Sequence, residues 1–95
     1  MFEKPKRYVH PEHIKFIKTL PCIICGNTPV DAEHWKTRKS GGGDNLSNLN
    51  PMCRLHHIEK GLIGVRSFWE RYHKTIIANR RKYKLPRLNI YWLVT

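Results

Sequence analysis

The stretch from Cys22 to His57 decides how this chain is read. It contains Cys22-Ile23-Ile24-Cys25-Gly26, then Ala32-Glu33-His34-Trp35, then Gly41-Gly42-Gly43-Asp44, and closes with Asn48-Leu49-Asn50-Pro51-Met52-Cys53-Arg54-Leu55-His56-His57. Cys22-x-x-Cys25 and Cys53-x-x-His56 are two pairs at metal-ligand spacing. Together they supply three thiolates and one imidazole, the count and donor set of a closed tetrahedral zinc site. Gly26 follows the first pair, where the turn needs a positive φ that glycine adopts at little cost. A thioredoxin-like redox pair would need a βαβ pattern around Cys22 and Cys25, and it would leave Cys53 without a role.

The cysteine count agrees with a metal rather than disulfides. Three cysteines cannot form a pure disulfide framework, and zinc thiolates suit a reducing compartment. A chain of 95 residues makes one small domain with a limited core, for which a metal staple is a common remedy. We therefore expect a single α+β domain over residues 1–95, its zinc-stapled core spanning 22–60.

Outward from that core, residues 1–9 read as a loose basic arm, with a short extended piece at Tyr8-Val9. Pro11 suits a first helical position, and Ile14, Ile17 and Leu20 follow at helical spacing, predicting a helix within 10–20. His10 and His13 at its start read as exposed histidines. Val30 to Lys36 reads as a strand carrying Glu33 and His34. Thr37 to Asn45 reads as a flexible cationic loop, and Leu46 to Met52 as a second, irregular strand interrupted by Pro51. A short helix is expected from Arg54 to about Lys60, ended by Gly61. The longest helix is expected over 64–82, with Val65, Phe68, Trp69, Tyr72, Ile76 and Ile77 as its apolar stripe. Its aromatics read as core, and His73 as exposed or locally satisfied. Leu88, Ile90, Trp92 and Val94 alternate with their neighbours, predicting an extended segment over 85–95 packed on the body.

The charge points to a polyanionic partner. Eighteen Lys and Arg residues against seven acidic ones give a formal charge of +11, and no acidic residue follows Glu70. Nucleic acid is the expected partner, most simply DNA. No apolar run approaches the roughly 20 residues that cross a bilayer, and Met1 to Arg7 is basic with no apolar segment behind it. The expectation is a cytoplasmic protein, bacterial or phage-encoded, with no membrane partner.

Four residues remain once the zinc ligands are set aside: Glu33, His34, Asn48 and His57. His56 and His57 are adjacent, so on a helix their side chains diverge by about a hundred degrees and can serve two different sites. Phosphodiester hydrolysis needs a divalent cation at the scissile phosphate. It also needs a base that titrates near neutrality and a group that orients that base. Glu33 and His57 suit the cation, His34 the base, and Asn48 the orienting role. Strand alternation puts Glu33 and His34 on opposite faces, so both reach one phosphate only if the strand is locally distorted.

This ordered set resembles the HNH endonuclease family in its zinc-stapled form, and within it the small phage and prophage nucleases. The resemblance covers Cys22 to Lys60, about two-fifths of the chain. It implies a ββα-metal core: two antiparallel strands and a helix around one catalytic divalent ion. By this resemblance His34 is the general base, Asn48 the middle asparagine, and His57 the closing histidine and a metal ligand. Glu33 stands where the family commonly has an aspartate ligand. Gly61 stands where toxin-like members carry a second helical histidine. An oxygen- and water-rich site of this kind suits Mg²⁺ or Mn²⁺. Lys36, Arg38, Lys39, Arg54, Lys60 and Arg66 are the expected phosphate contacts, positioning the backbone without reading sequence. One site per chain should nick duplex DNA. Two other readings compete: a non-catalytic zinc-finger module that binds nucleic acid, and a phage-type recombination nuclease acting on branched DNA.

Overall fold

The computed structural model describes residues 8–93; residues 1–7 of the basic arm expected over 1–9, and Val94 and Thr95 of the C-terminal segment, lie outside the described residues. The chain is α+β. Helix α1 (Pro11–Lys18) leads to strand β1 (Asp31–His34), strand β2 (Leu49–Met52), helix α2 (Arg54–Ile63) and helix α3 (Val65–Lys82), with 3₁₀ turns at Arg38–Ser40, Leu46–Asn48 and Tyr91–Leu93. No helix among the described residues is long and apolar enough to cross a membrane.

The two strands pair antiparallel, with Asp31 opposite Met52, Glu33 opposite Asn50 and His34 opposite Leu49. Pro51 sits within β2 because its missing N–H is not needed there. Its carbonyl instead accepts a 2.7 Å hydrogen bond from the N–H of Ile23, which ties the first cysteine turn to the sheet. Apolar side chains then close over the sheet. Ile23, Trp35, Met52, Phe68, Ile76, Leu88 and Leu93 form the main core. Ile17, Leu49 and Leu85 form a second cluster beneath α1. Phe68 and Ile76 are the fully buried positions of the α3 stripe, Trp69 and Tyr72 pack against them, and Ile77 remains exposed.

Arg80 joins these parts. Its side chain is 3 % exposed. Nη1 donates to the carbonyl of Leu49 at 2.7 Å and to Asn50 Oδ1 at 2.8 Å, and Nη2 to the carbonyls of Leu46 at 2.7 Å and Pro86 at 2.8 Å. Nε also donates to Pro86, at 3.0 Å. All five donor hydrogens of the guanidinium are thereby used, and the end of α3 is pinned to β2 and to the chain that follows.

Several expectations are corrected. The predicted end of α2 at Gly61 is displaced: the helix continues to Ile63, and Gly64, with φ of 87°, terminates it while its N–H bonds to the Lys60 carbonyl. A helical glycine is only a weak stop when the following residues can still bury a face. The segment after Leu85 lies against the main core through Leu88, Ile90, Trp92 and Leu93. It has no strand partner among the described residues, and its ordered end is the Tyr91–Leu93 turn, which buries Leu93. Residues 37–45 are also more constrained than a flexible loop. A Cβ on Gly42 would lie 1.7 Å from the Lys36 carbonyl oxygen, and one on Gly43 would lie 2.8 Å from Tyr8 Cβ, so backbone closes on backbone there.

Candidate metal centre and adjoining cleft

The two ligand pairs meet as their spacing predicts. The donor atoms of Cys22, Cys25, Cys53 and His56 all lie within 4.8 Å of one another. Cys25 Sγ and Cys53 Sγ are 3.7 Å apart, while His56 Nδ1 lies 3.2 Å from Cys53 Sγ and 3.8 Å from Cys22 Sγ. Tetrahedral zinc with sulfur at about 2.3 Å requires ligand–ligand edges of about 3.5–3.8 Å; two of these distances fall in that range and the Cys53–His56 edge is shorter, so the cluster could hold that ion with a small adjustment of His56. The first turn is built for thiolates: the N–H of Ile24 points at Cys22 Sγ from 3.4 Å. Burial opposes ionisation of Cys22, but backbone N–H groups of Cys53, Cys25 and Ile24 outweigh it and hold the thiol below its ordinary value. Desolvation and the neighbouring sulfurs push Cys25 the other way.

Cys53 caps the N-terminus of α2, which places His56 and His57 in the first turn. His56 turns into the cysteine cluster, and its ring meets Tyr72 edge-on at 5.8 Å. His57 turns instead to a cleft of about 480 Å³, whose lining also includes Glu33, His34, Arg38, Lys60 and Gly61. The adjacent histidines thus serve two places, as their helical divergence requires. Glu33 and His34 both line this cleft although they alternate on β1. His34 is the last strand residue, where the chain turns away toward Trp35.

Glu33 is 3 % exposed. Its Oε1 is held by the ammonium of Lys60, which also lies 5.2 Å from the Trp35 ring centroid. Its Oε2 is buried with no hydrogen-bond partner among the described residues. Burial raises the Glu33 carboxyl to about 7 even against the counter-charge of Lys60. Lys60 was expected among the phosphate contacts; it is 8 % exposed and engaged with Glu33. His57 stands beside Asp31, Nδ1 to Oδ2 at 3.8 Å, with both side chains about half exposed.

Asn48 holds the loop rather than the histidine. Its Oδ1 accepts from the Lys36 N–H at 2.7 Å, and its Nδ2 donates to the carbonyls of Lys36 at 3.1 Å and Gly43 at 2.9 Å. His34 instead meets Asp44, Nε2 to Oδ1 at 2.7 Å. Asp44 was not singled out from the sequence, although it follows the glycines that bring it there. His10 and His13, expected to be unremarkable, stack on each other at 3.6 Å and surround Asp44. The N–H of His10 donates to Asp44 Oδ2 at 2.9 Å, and His13 Nδ1 lies 2.8 Å from the Asp44 carbonyl oxygen. His73 is satisfied locally, its Nδ1 3.2 Å from the Trp69 carbonyl oxygen. Arg38, Lys39, Arg54 and Arg66 are exposed, and Lys36 is half-buried at the edge of the loop.

Among curated proteins, the chain is similar to uncharacterized protein YdfU of Escherichia coli (strain K12), with 36 % identity over 59 residues. That alignment covers 59 % of this chain and 17 % of the relative, so the chain corresponds to a small part of that protein. No family model matches the chain, and no solved structure matches it at the same significance.

Proposed function

We propose that this chain is a metal-dependent DNA endonuclease of the HNH type, in which β1, β2 and α2 form a ββα-metal core stapled by zinc at Cys22, Cys25, Cys53 and His56. One observation carries the reading. Glu33, His34 and His57 line a single cleft beside the cysteine cluster, and Glu33 presents a buried oxygen without a partner. An orphaned carboxylate oxygen is costly in a protein interior unless something cationic or protic completes it.

A divalent ion at Glu33 Oε2 and His57 fits that requirement, and its mixed oxygen and nitrogen donors suit Mg²⁺ or Mn²⁺. When bound, the ion supplies charge neutralisation at the scissile phosphate and the leaving oxygen. His34 acts as the general base toward water. Asn48 keeps residues 36–43 closed beside His34 through its three backbone bonds. Arg38, which lines the cleft, and Lys36, Lys39 and Arg54 hold the DNA backbone, with Arg66, whose Nη2 also donates to the Leu93 carbonyl, as a further contact; this makes binding steeply salt-dependent. Lys60 orients Glu33 and is not a surface phosphate contact. One cleft per chain cuts one strand at a time.

The test is a titration of zinc-loaded protein with Mn²⁺, followed by electron paramagnetic resonance, beside cleavage of an end-labelled duplex. The reading expects one Mn²⁺ site that is lost in His57→Ala, and nicking that disappears with it. Duplex binding with neither a Mn²⁺ site nor cleavage would leave a zinc-finger binding module in its place.

A further inference from the structure

We infer that Asp44 is the positioning residue for His34: it selects the imidazole tautomer and leaves Nδ1 as the atom that takes the proton. The inference rests on the nuclease reading, in which His34 is the base, and adds a residue that reading does not supply. A base histidine must be held in one orientation and one tautomer, and the side chain expected to do so, Asn48, has its oxygen and both amide hydrogens engaged with the backbone of Lys36 and Gly43.

The His34–Asp44 contact has the features of a built pair. It measures 2.7 Å, and the two side chains are 11 % and 3 % exposed. A carboxylate accepts, so the neutral imidazole carries its proton on Nε2 and donates it to Asp44 Oδ1. The lone pair then lies on Nδ1. Asp44 is itself held from several sides. Its Oδ2 accepts the N–H of His10, its own N–H donates to the Tyr8 carbonyl at 2.8 Å, and its carbonyl lies against His13 Nδ1. Gly43, just before it, is packed on Tyr8 so closely that a Cβ would collide. The segment leading into α1 therefore has a role at the cleft: it sets the carboxylate that sets the base.

The resulting step balances. Nδ1 takes one proton from the attacking water, whose oxygen forms the new bond to phosphorus. The bridging P–O bond breaks, and the leaving oxygen takes a proton from solvent. His34, now cationic at Nδ1, faces a carboxylate on its other nitrogen, and it returns to neutrality by releasing that proton to solvent. The arrangement follows the logic by which a buried aspartate orients a catalytic histidine in hydrolytic triads.

Two measurements test it. Long-range ¹H–¹⁵N correlation spectra of the zinc-loaded wild type should show neutral His34 protonated at Nε2, with that preference weakened in Asp44→Asn. In plasmid nicking, Asp44→Asn should lower kcat by about 10–100-fold, the usual cost of removing an orienting partner, with KM little changed. In a His34→Ala background, which no longer nicks, the same substitution should leave duplex binding and bound zinc unchanged. A wild-type His34 protonated at Nδ1 overturns the proposal without needing any variant to fold. An Asp44→Asn loss of duplex binding or of bound zinc in the His34→Ala background also overturns it, because the residue would then be acting on the fold. Nicking abolished by His34→Ala but untouched by Asp44→Asn removes the Asp44 role and leaves the base in place. Nicking that survives His34→Ala removes both.

Discussion

Replacing Arg80 by Met should be among the most damaging single changes in this chain. The substitution keeps much of the aliphatic length but removes five hydrogen bonds, leaving the carbonyls of Leu46, Leu49 and Pro86 and the Asn50 side-chain oxygen without their donor. Bonds from a charged donor contribute about 1.5 kcal/mol each at the low end, so the gross loss is about 7.5 kcal/mol. Against that stands the cost of burying the guanidinium, which lowers its pKa from 12.5 to about 10. At about 1.36 kcal/mol per unit, this offsets about 3 kcal/mol. The net is a destabilisation of about 4 kcal/mol, in the range found when a buried charged group loses its partners. For a domain of this size the melting temperature should fall by about 15–30 °C. Thermal unfolding followed by circular dichroism is the assay, with free zinc buffered equally for both proteins, because metal binding would otherwise shift the comparison. Arg80→Lys should recover little, since one ammonium cannot reach four acceptors arranged around a planar fork. A loss below about 1 kcal/mol would refute the reasoning, because the clamp between α3 and β2 would then contribute almost nothing.

Other outcomes follow from the same geometry. Chelation at neutral pH, or Cys53→Ser, should remove one bound zinc per chain and unfold the Cys22–His57 region, read by metal analysis and by loss of tertiary dichroism. The Glu33 carboxyl is raised from 4.5 to about 7, so the native state holds this proton where the unfolded chain has released it. The associated stability is present below about pH 4.5 and declines as pH rises through 7, by at most about 3 kcal/mol. Urea unfolding of wild type against Glu33→Gln across that window, without added divalent ions, should show the difference, and parallel curves would count against it. Two glycines should respond in opposite directions. Gly42→Ala drives a Cβ into the Lys36 carbonyl and should destabilise the loop and abolish nicking, whereas Gly61→Ala meets open space in the interior of α2 and should stabilise by about 1 kcal/mol.

What the sequence made legible was set by short-range rules. Cys22, Cys25, Cys53 and His56 could be paired because ligand spacing follows from turn and helix geometry. α3 could be placed because Val65 to Ile76 repeats at the period of a helix with one buried face. His57 could be separated from His56 by the angle between successive helical residues. Lys60 could not be placed, because its pairing with Glu33 depends on the distance at which α2 packs on β1. Asp44, His10 and His13 were missed for the same reason: the contact joins the start of α1 to the end of β1 through a loop whose closure depends on Gly42 and Gly43 meeting distant backbone. The alternation after Leu85 could be read only as an extended segment, because whether it joins the sheet is a tertiary fact. Alternation describes a face that can be buried, but a strand also needs a neighbour to pair with.

The most direct test of the central claim is conversion of supercoiled plasmid to open circle by purified zinc-loaded protein, with Mg²⁺ or Mn²⁺ against EDTA, comparing wild type with His34→Ala. The account predicts open circle that accumulates before any linear product, requires the added divalent ion, and vanishes in His34→Ala while DNA binding by mobility shift persists. Plasmid left supercoiled by the wild type under every metal, with the mobility shift intact, would contradict it.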